Sequence, residues 1–183
     1  PWYVLIANAT QQAALFGLMT YFAAYMIESY AWDERNTAPG LALLGVGAVI
    51  GSVAGGFIAG RARRLECLAV ISLAGGAVTG LLFALGASAW IVVAMAFVAS
   101  VLVSVSMPVQ LTLIMHLAGQ SRGTASGMLS TSNQFGSFVG ASAGGLMLSL
   151  GGFPAVGLSC LVATVLSASV VGLIMRRSPA FQD

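Results

Sequence analysis

The chain has no lysine, a single histidine, two cysteines and only 7% charged residues over 183 positions. Soluble domains carry about 25% charged residues, so this scarcity excludes an ordinary water-soluble fold. A net charge of +2, with no basic stripe interleaved with aromatics, argues against a nucleic-acid partner. Cys67 and Cys160 cannot build a disulfide framework. They are expected near opposite membrane surfaces, as free thiols that behave like small apolar residues. No Cys/His cluster has metal-ligand spacing and there is no phosphate-binding loop, so no cofactor or metal is expected. The opening Pro1-Trp2-Tyr3 offers neither an initiator Met nor a charged leader segment, so it is not a signal peptide. It reads as the start of a processed chain or of one that begins inside a longer protein.

What is present is apolar. Hydrophobic residues make up 58% of the chain and mean hydropathy is +0.97. A bilayer core of roughly 30 Å needs about 20 apolar residues as helix. Six runs qualify, at about Trp2–Ile27, Pro39–Gly60, Cys67–Ala87, Trp90–Leu117, Gly123–Leu150 and Ala155–Met175. These are long and continuous, without the short alternation of a membrane barrel. The expectation is an all-α membrane protein of one domain, residues 1–183, with six transmembrane helices in the lipid bilayer.

The basic residues give the orientation. All seven are arginines. Arg61, Arg63 and Arg64 follow the second run, Arg122 follows the fourth, and Arg176 and Arg177 follow the sixth. Cytoplasmic loops hold an excess of Lys and Arg, and in a six-span chain these three places share one side. Glu28, Asp33, Glu34 and a lone Arg35 fall on the other. Both termini are therefore expected in the cytoplasm.

Glycine is spaced in fours. Gly47, Gly51 and Gly55 lie in the second run, followed by Gly56 and Gly60, and Gly136, Gly140 and Gly144 lie in the fifth. Residues four apart share a helix face, and a face without side chains lets membrane helices approach closely. The two ladders read alike, G-S-V-A-G-G-F-I from Gly51 and G-A-S-A-G-G-L-M from Gly140. Each is the middle helix of a triplet, and the triplets start on opposite sides. This predicts two inverted three-helix repeats, a build common in secondary transporters.

Two stretches carry a family resemblance. The loop G-G-F-I-A-G-R-A-R-R resembles the cytoplasmic loop motif G-x-L-A-D-R-x-G-R-R of the major facilitator superfamily, in its second copy, through Gly56, Ile58, Ala59, Arg61, Arg63 and Arg64. Gly60 stands where the motif has an acid, so no charge-relay role is carried over. From Pro108 to Leu148 the chain is similar to the tenth and eleventh helices of bacterial drug and sugar efflux members. It has the turn Ala118, Arg122, Gly123, Ala125, a serine- and asparagine-bearing helix, and the ending G-x-x-x-G-G. The resemblance covers essentially the whole chain as the C-terminal six-helix half of such a transporter. It implies a second six-helix half, a small-molecule substrate and the bacterial cytoplasmic (inner) membrane.

Substrate sites in such transporters lie near the midplane, and polar residues in a span face the bundle interior or a watery cavity. Asn8, Gln12, Phe16, Met19 and Met26 share one face of the first run at helical spacing, with Gln11 beside them. Gln110 and Ser104 flank Pro108 in the fourth, and Ser104 is placed to help satisfy the carbonyl that Pro108 frees. Ser130, Asn133, Gln134 and Ser137 lie in the fifth. The expected substrate cavity is therefore Asn8, Gln12, Phe16, Met19, Gln110, Asn133 and Gln134. The other reading of these side chains is interhelical hydrogen bonding. No Asp or Glu lies deep in a run, and His116 is expected to be a polar residue at the interface. Gly140-Ala141-Ser142-Ala143-Gly144 fits the G-x-S-x-G pattern, which needs a strand-turn-helix elbow. Here it lies in a continuous apolar run with His116 near the opposite face, so no enzyme is expected. A transporter half and a non-transporting module that docks a partner both remain open.

Overall fold

The computed structural model describes residues 2–61, 64–118 and 121–177, without the side chains of residues 64 and 174–177. Among the described residues the elements are helices: α1 (Trp2–Tyr30), α2 (Glu34–Ala59), α3 (Arg64–Ala84), α4 (Ala89–Ser104), α5 (Ser106–Ala118) and α6 (Arg122–Arg177). Four stretches are long and apolar enough to cross a membrane: Glu34–Ala59, Leu65–Ala84, Ala89–Ala118 and Arg122–Leu173. α1 has the length, at 29 residues. Its run of Asn8, Thr10, Gln11 and Gln12 dilutes its apolar character.

Helices outrun the apolar runs wherever backbone hydrogen bonding continues into polar sequence. α2 begins at Glu34, five residues before Pro39. The Asp33 carbonyl accepts from the Asn36 and Thr37 N–H groups and from the Thr37 hydroxyl. The fourth apolar run is broken. Pro108 has no N–H and its ring crowds the carbonyl four residues back, which is that of Ser104, and α4 ends there. Ser106 Oγ donates to the Val103 carbonyl at 2.7 Å, whereas Ser104 Oγ has no hydrogen-bond partner. The hydroxyl that bonds at the break is thus that of Ser106, and it goes to the Val103 carbonyl and not to the Ser104 carbonyl that Pro108 frees. In α6, Gly152 adopts φ 68, ψ −163, a region open essentially to glycine alone. That break divides α6 into a first arm (122–151) and a second arm (153–177).

The glycine ladders determine which helices touch. A methyl at Gly51 would overlap the Val101 carbonyl oxygen, and one at Gly47 would lie 3.0 Å from that of Phe97. A methyl at Gly140 would overlap the Ala13 carbonyl oxygen, and one at Gly136 that of Ala9. So α2 lies parallel against α4, and the first arm of α6 lies parallel against α1. A third contact joins α3 to the second arm in antiparallel sense. There a methyl at Gly157 would lie 3.0 Å from the Gly80 carbonyl oxygen, and one at Gly76 would overlap Thr164.

The core is layered. One buried apolar cluster gathers Val4, Leu5, Leu65, Leu68, Val109, Leu113, Leu129 and Val171. The other gathers Leu18, Phe22, Tyr25, Leu44, Leu82, Phe83, Val92 and Val156. Between them four of these helices change character. α1 buries Asn8, Gln11 and Ala14, α3 buries Ser72 and Thr79, α4 buries Ser100 and Ser104, and the second arm buries Thr164 and Ser167. The bundle therefore has a waist of small and polar side chains.

Candidate functional site

The seam between α1 and the first arm of α6 holds most of the sequence-predicted residues. Glycines at 136 and 140 bring the two backbones together, and amide side chains can then reach across. Asn8 is 2% exposed and donates through Nδ2 to Asn133 Oδ1 at 2.5 Å and to Ser132 Oγ at 3.2 Å. Ser132 Oγ in turn donates to the Leu5 carbonyl at 2.6 Å. Tyr21 extends the seam by donating its hydroxyl to the Ala141 carbonyl at 2.5 Å.

Gln12 and Gln134 differ from that pair. Gln12 is half-buried beside Gly136, and Gln134 is exposed. Ser126, Ser130, Gln134 and Ser142 are all exposed, at spacings of four and eight along the first arm, with Phe138 between them. Positions four apart lie on one helix face, so this is a continuous polar stripe with an aromatic in it. Phe16 is exposed at 38%, while Met19 packs against the second core cluster. Met26 is fully buried in that cluster.

Gln110 is 1% exposed, on α5, and neither its Nε2 nor its Oε1 has a partner. Gln11, in the waist, is 2% exposed and equally unpartnered. An unpaired buried amide costs about 2–7 kcal/mol. The structure thus joins Asn8 to Asn133, leaves Gln12 half-buried beside Gly136 and Gln134 exposed, and puts Gln110 inside the bundle. Ser132 is missing from the sequence-predicted set, although four-residue spacing puts it on the Gly136 face that meets α1. Gln11 was set beside the functional face, yet it points to the centre of the bundle, one helical step from Gln12.

In the loop motif Gly56 is exposed with open space around it, and Arg61 is exposed at the end of α2. Arg63 and the side chain of Arg64 lie outside the described residues. Arg122 is exposed in the first turn of α6. His116 Nδ1 lies 2.8 Å from the Thr112 carbonyl oxygen, within its own helix. Ser142 is exposed in mid-helix without a nucleophile elbow. Both cysteines are free thiols, and Cys160 is buried. The described residues hold no group of His, Cys, Asp and Glu that could bind a metal.

Residues 4–182 match the Major Facilitator Superfamily. The chain is also 30% identical over 153 residues to the protein named Putative transporter AraJ from Escherichia coli (strain K12), covering 82% of this chain. It spans only 38% of that protein's length. No solved structure matches it. A layered bundle of long apolar helices, polar at its waist, accords with the match over nearly its whole length: the chain belongs to the Major Facilitator Superfamily, a family of multi-pass membrane transporters and not of enzymes.

Proposed function

We propose that this chain is the C-terminal six-helix half of a secondary transporter that exports a small organic molecule across the bacterial cytoplasmic membrane by alternating access. The observation that carries the reading is the open polar stripe of the first arm, with Gln134 at its middle, together with the half-buried Gln12 and the exposed Phe16 on α1. Polar side chains at membrane depth are expensive against lipid and belong to a watery path or a partner helix. Amides next to aromatic and methionine side chains suit an amphipathic guest, held by a mostly apolar pocket with a few polar fixtures.

The packing supports two inverted triplets. Gly51 meets the Val101 carbonyl as Gly140 meets that of Ala13, and Gly47 meets Phe97 as Gly136 meets Ala9. In each pair, the middle helix of one triplet lies on the first helix of the other. The third helices meet one another at Gly80 and Gly157, as a twofold relation requires. A second six-helix half would face the polar stripe and close the substrate path. Any proton carrier belongs to that half, since no acid lies deep in the apolar runs here.

Vesicles containing the complete protein test the proposal. Gln12→Ala and Gln134→Ala should each lower substrate-dependent flux about tenfold, a barrier change of roughly 1.4 kcal/mol, with the protein still correctly inserted. A complete protein that moves none of a panel of amphipathic compounds, with both substitutions silent, would return the chain to the non-transporting alternative.

A further inference from the structure

One cavity lies away from the polar stripe. It is an apolar groove of about 450 Å³ between α1 and the two arms of α6, walled by Ala13, Val139, Ala143, Leu158, Val162 and Ala163. Thr10 and Ser159 reach its lining, but both hydroxyls are spent within their own helices. Thr10 donates to the Ile6 and Ala7 carbonyls, and Ser159 to that of Val156. The wall therefore offers apolar groups and, besides the weak donor of the Cys160 thiol, no free hydroxyl.

The helix wheel separates this groove from the candidate substrate surface. At about 100° per residue, Thr10 lies roughly 160° from Gln12 on α1, and Ala143 lies roughly 180° from Gln134 on the first arm. The groove thus faces away from Gln12 and Gln134 on their own helices. Beyond the groove, Leu158, Val162 and Leu166 leave 60%, 49% and 51% of their surface open at four-residue intervals. A wholly apolar rim on a membrane helix is the face that meets lipid.

Size decides the occupant. The first arm lines the groove from Phe135 to Met147, a length of about 18 Å at 1.5 Å per residue. Dividing the volume by that length gives a cross-section of about 25 Å², the girth of one extended hydrocarbon chain. A helix about 10 Å across would fill the same volume in roughly one turn, so a span of another protein segment does not fit. We propose that this groove is a binding site for a single acyl chain of a membrane phospholipid, seated along the seam behind the Gly136–Gly140 contact. The site requires only that the chain is membrane-embedded, and it stands whether or not the protein transports.

The full-length protein, extracted in mild detergent and delipidated stepwise, should retain one phospholipid per chain by native mass spectrometry. Ala143→Phe and Ala163→Phe fill the groove from opposite walls. Each should lower retention about tenfold while helicity and melting temperature hold. Ser130→Phe, exposed and about 140° around the first arm from Ala143, should retain lipid like the parent. No retained lipid in the parent, or full retention in a folded groove-filled variant, would overturn the site. Equal loss in Ser130→Phe would do the same, as would a crosslink from Val162→Cys to a protein segment in place of lipid. Flux measured on the same variants keeps the two proposals apart, since lipid retention is read without substrate.

Discussion

At the scale of single residues, amides on one helix divide by their angle about its axis. Asn8 meets Asn133 and Ser132, Gln11 points to the centre, and Gln12 sits at the rim. Interhelical hydrogen bonds in membranes average about 0.6 kcal/mol. Asn8→Leu also strands the Asn133 carbonyl oxygen, and a buried group left unpaired costs about 1–3 kcal/mol. The substitution should therefore destabilise by about 1–3 kcal/mol, and Asn133→Leu added to it should recover part of that loss. Reversible unfolding in mixed micelles measures both. Gln110→Met removes two unpartnered polar atoms and keeps side-chain length. Apolar replacement of unpaired groups is neutral or stabilising, so its melting temperature should hold or rise. A clear fall would show that the amide is paired. The polar candidates were legible in sequence because amides are rare in apolar runs. Their division into bonded, buried and open was not, because helical spacing cannot fix which face a neighbour will cover.

At the scale of helices, glycine placement does most of the specifying. Without a hydrophobic drive between helices in lipid, close backbone approach supplies the packing. Gly51→Ala and Gly140→Ala each push a methyl into a backbone carbonyl, which cannot move as a flexible side chain can. Overpacking of this kind costs about 1–3 kcal/mol. Gly56→Ala and Gly127→Ala meet open space and should be neutral or slightly stabilising. Denaturation midpoints of the four variants, side by side, check the contrast. The ladders were visible as fours in the sequence. Their partners were not, because α4 and α1 present ordinary backbone carbonyls to them and carry no matching motif. Pro108 and Gly152 explain the two breaks, since one lacks an N–H and the other permits φ 68, although the fourth run reads as one continuous span in the sequence.

At the scale of the whole molecule, the open question is how the bundle sits in its membrane. The arginine-rich turns lie at one set of helix ends, and Glu28, Asp33 and Glu34 at the other. With Cys67 and Cys160 replaced by alanine, a single cysteine at Ser121 should be labelled by an impermeant maleimide only from the cytoplasmic side. One at Ser29 should be labelled only from outside. Labelling of both from the same side would contradict the inverted arrangement. The sequence by itself determined the solvent, the helical class, the break between the fifth and sixth runs and the expected sidedness. Each of these rests on composition, length or a local steric rule, which a linear chain displays. Only the tertiary structure decided which helices the glycine ladders meet, where the polar waist lies, and that an apolar groove faces away from Gln12 and Gln134. Those features depend on contacts between residues more than a hundred positions apart, such as Asn8 with Asn133, and no local pattern encodes which distant surface a helix face will cover.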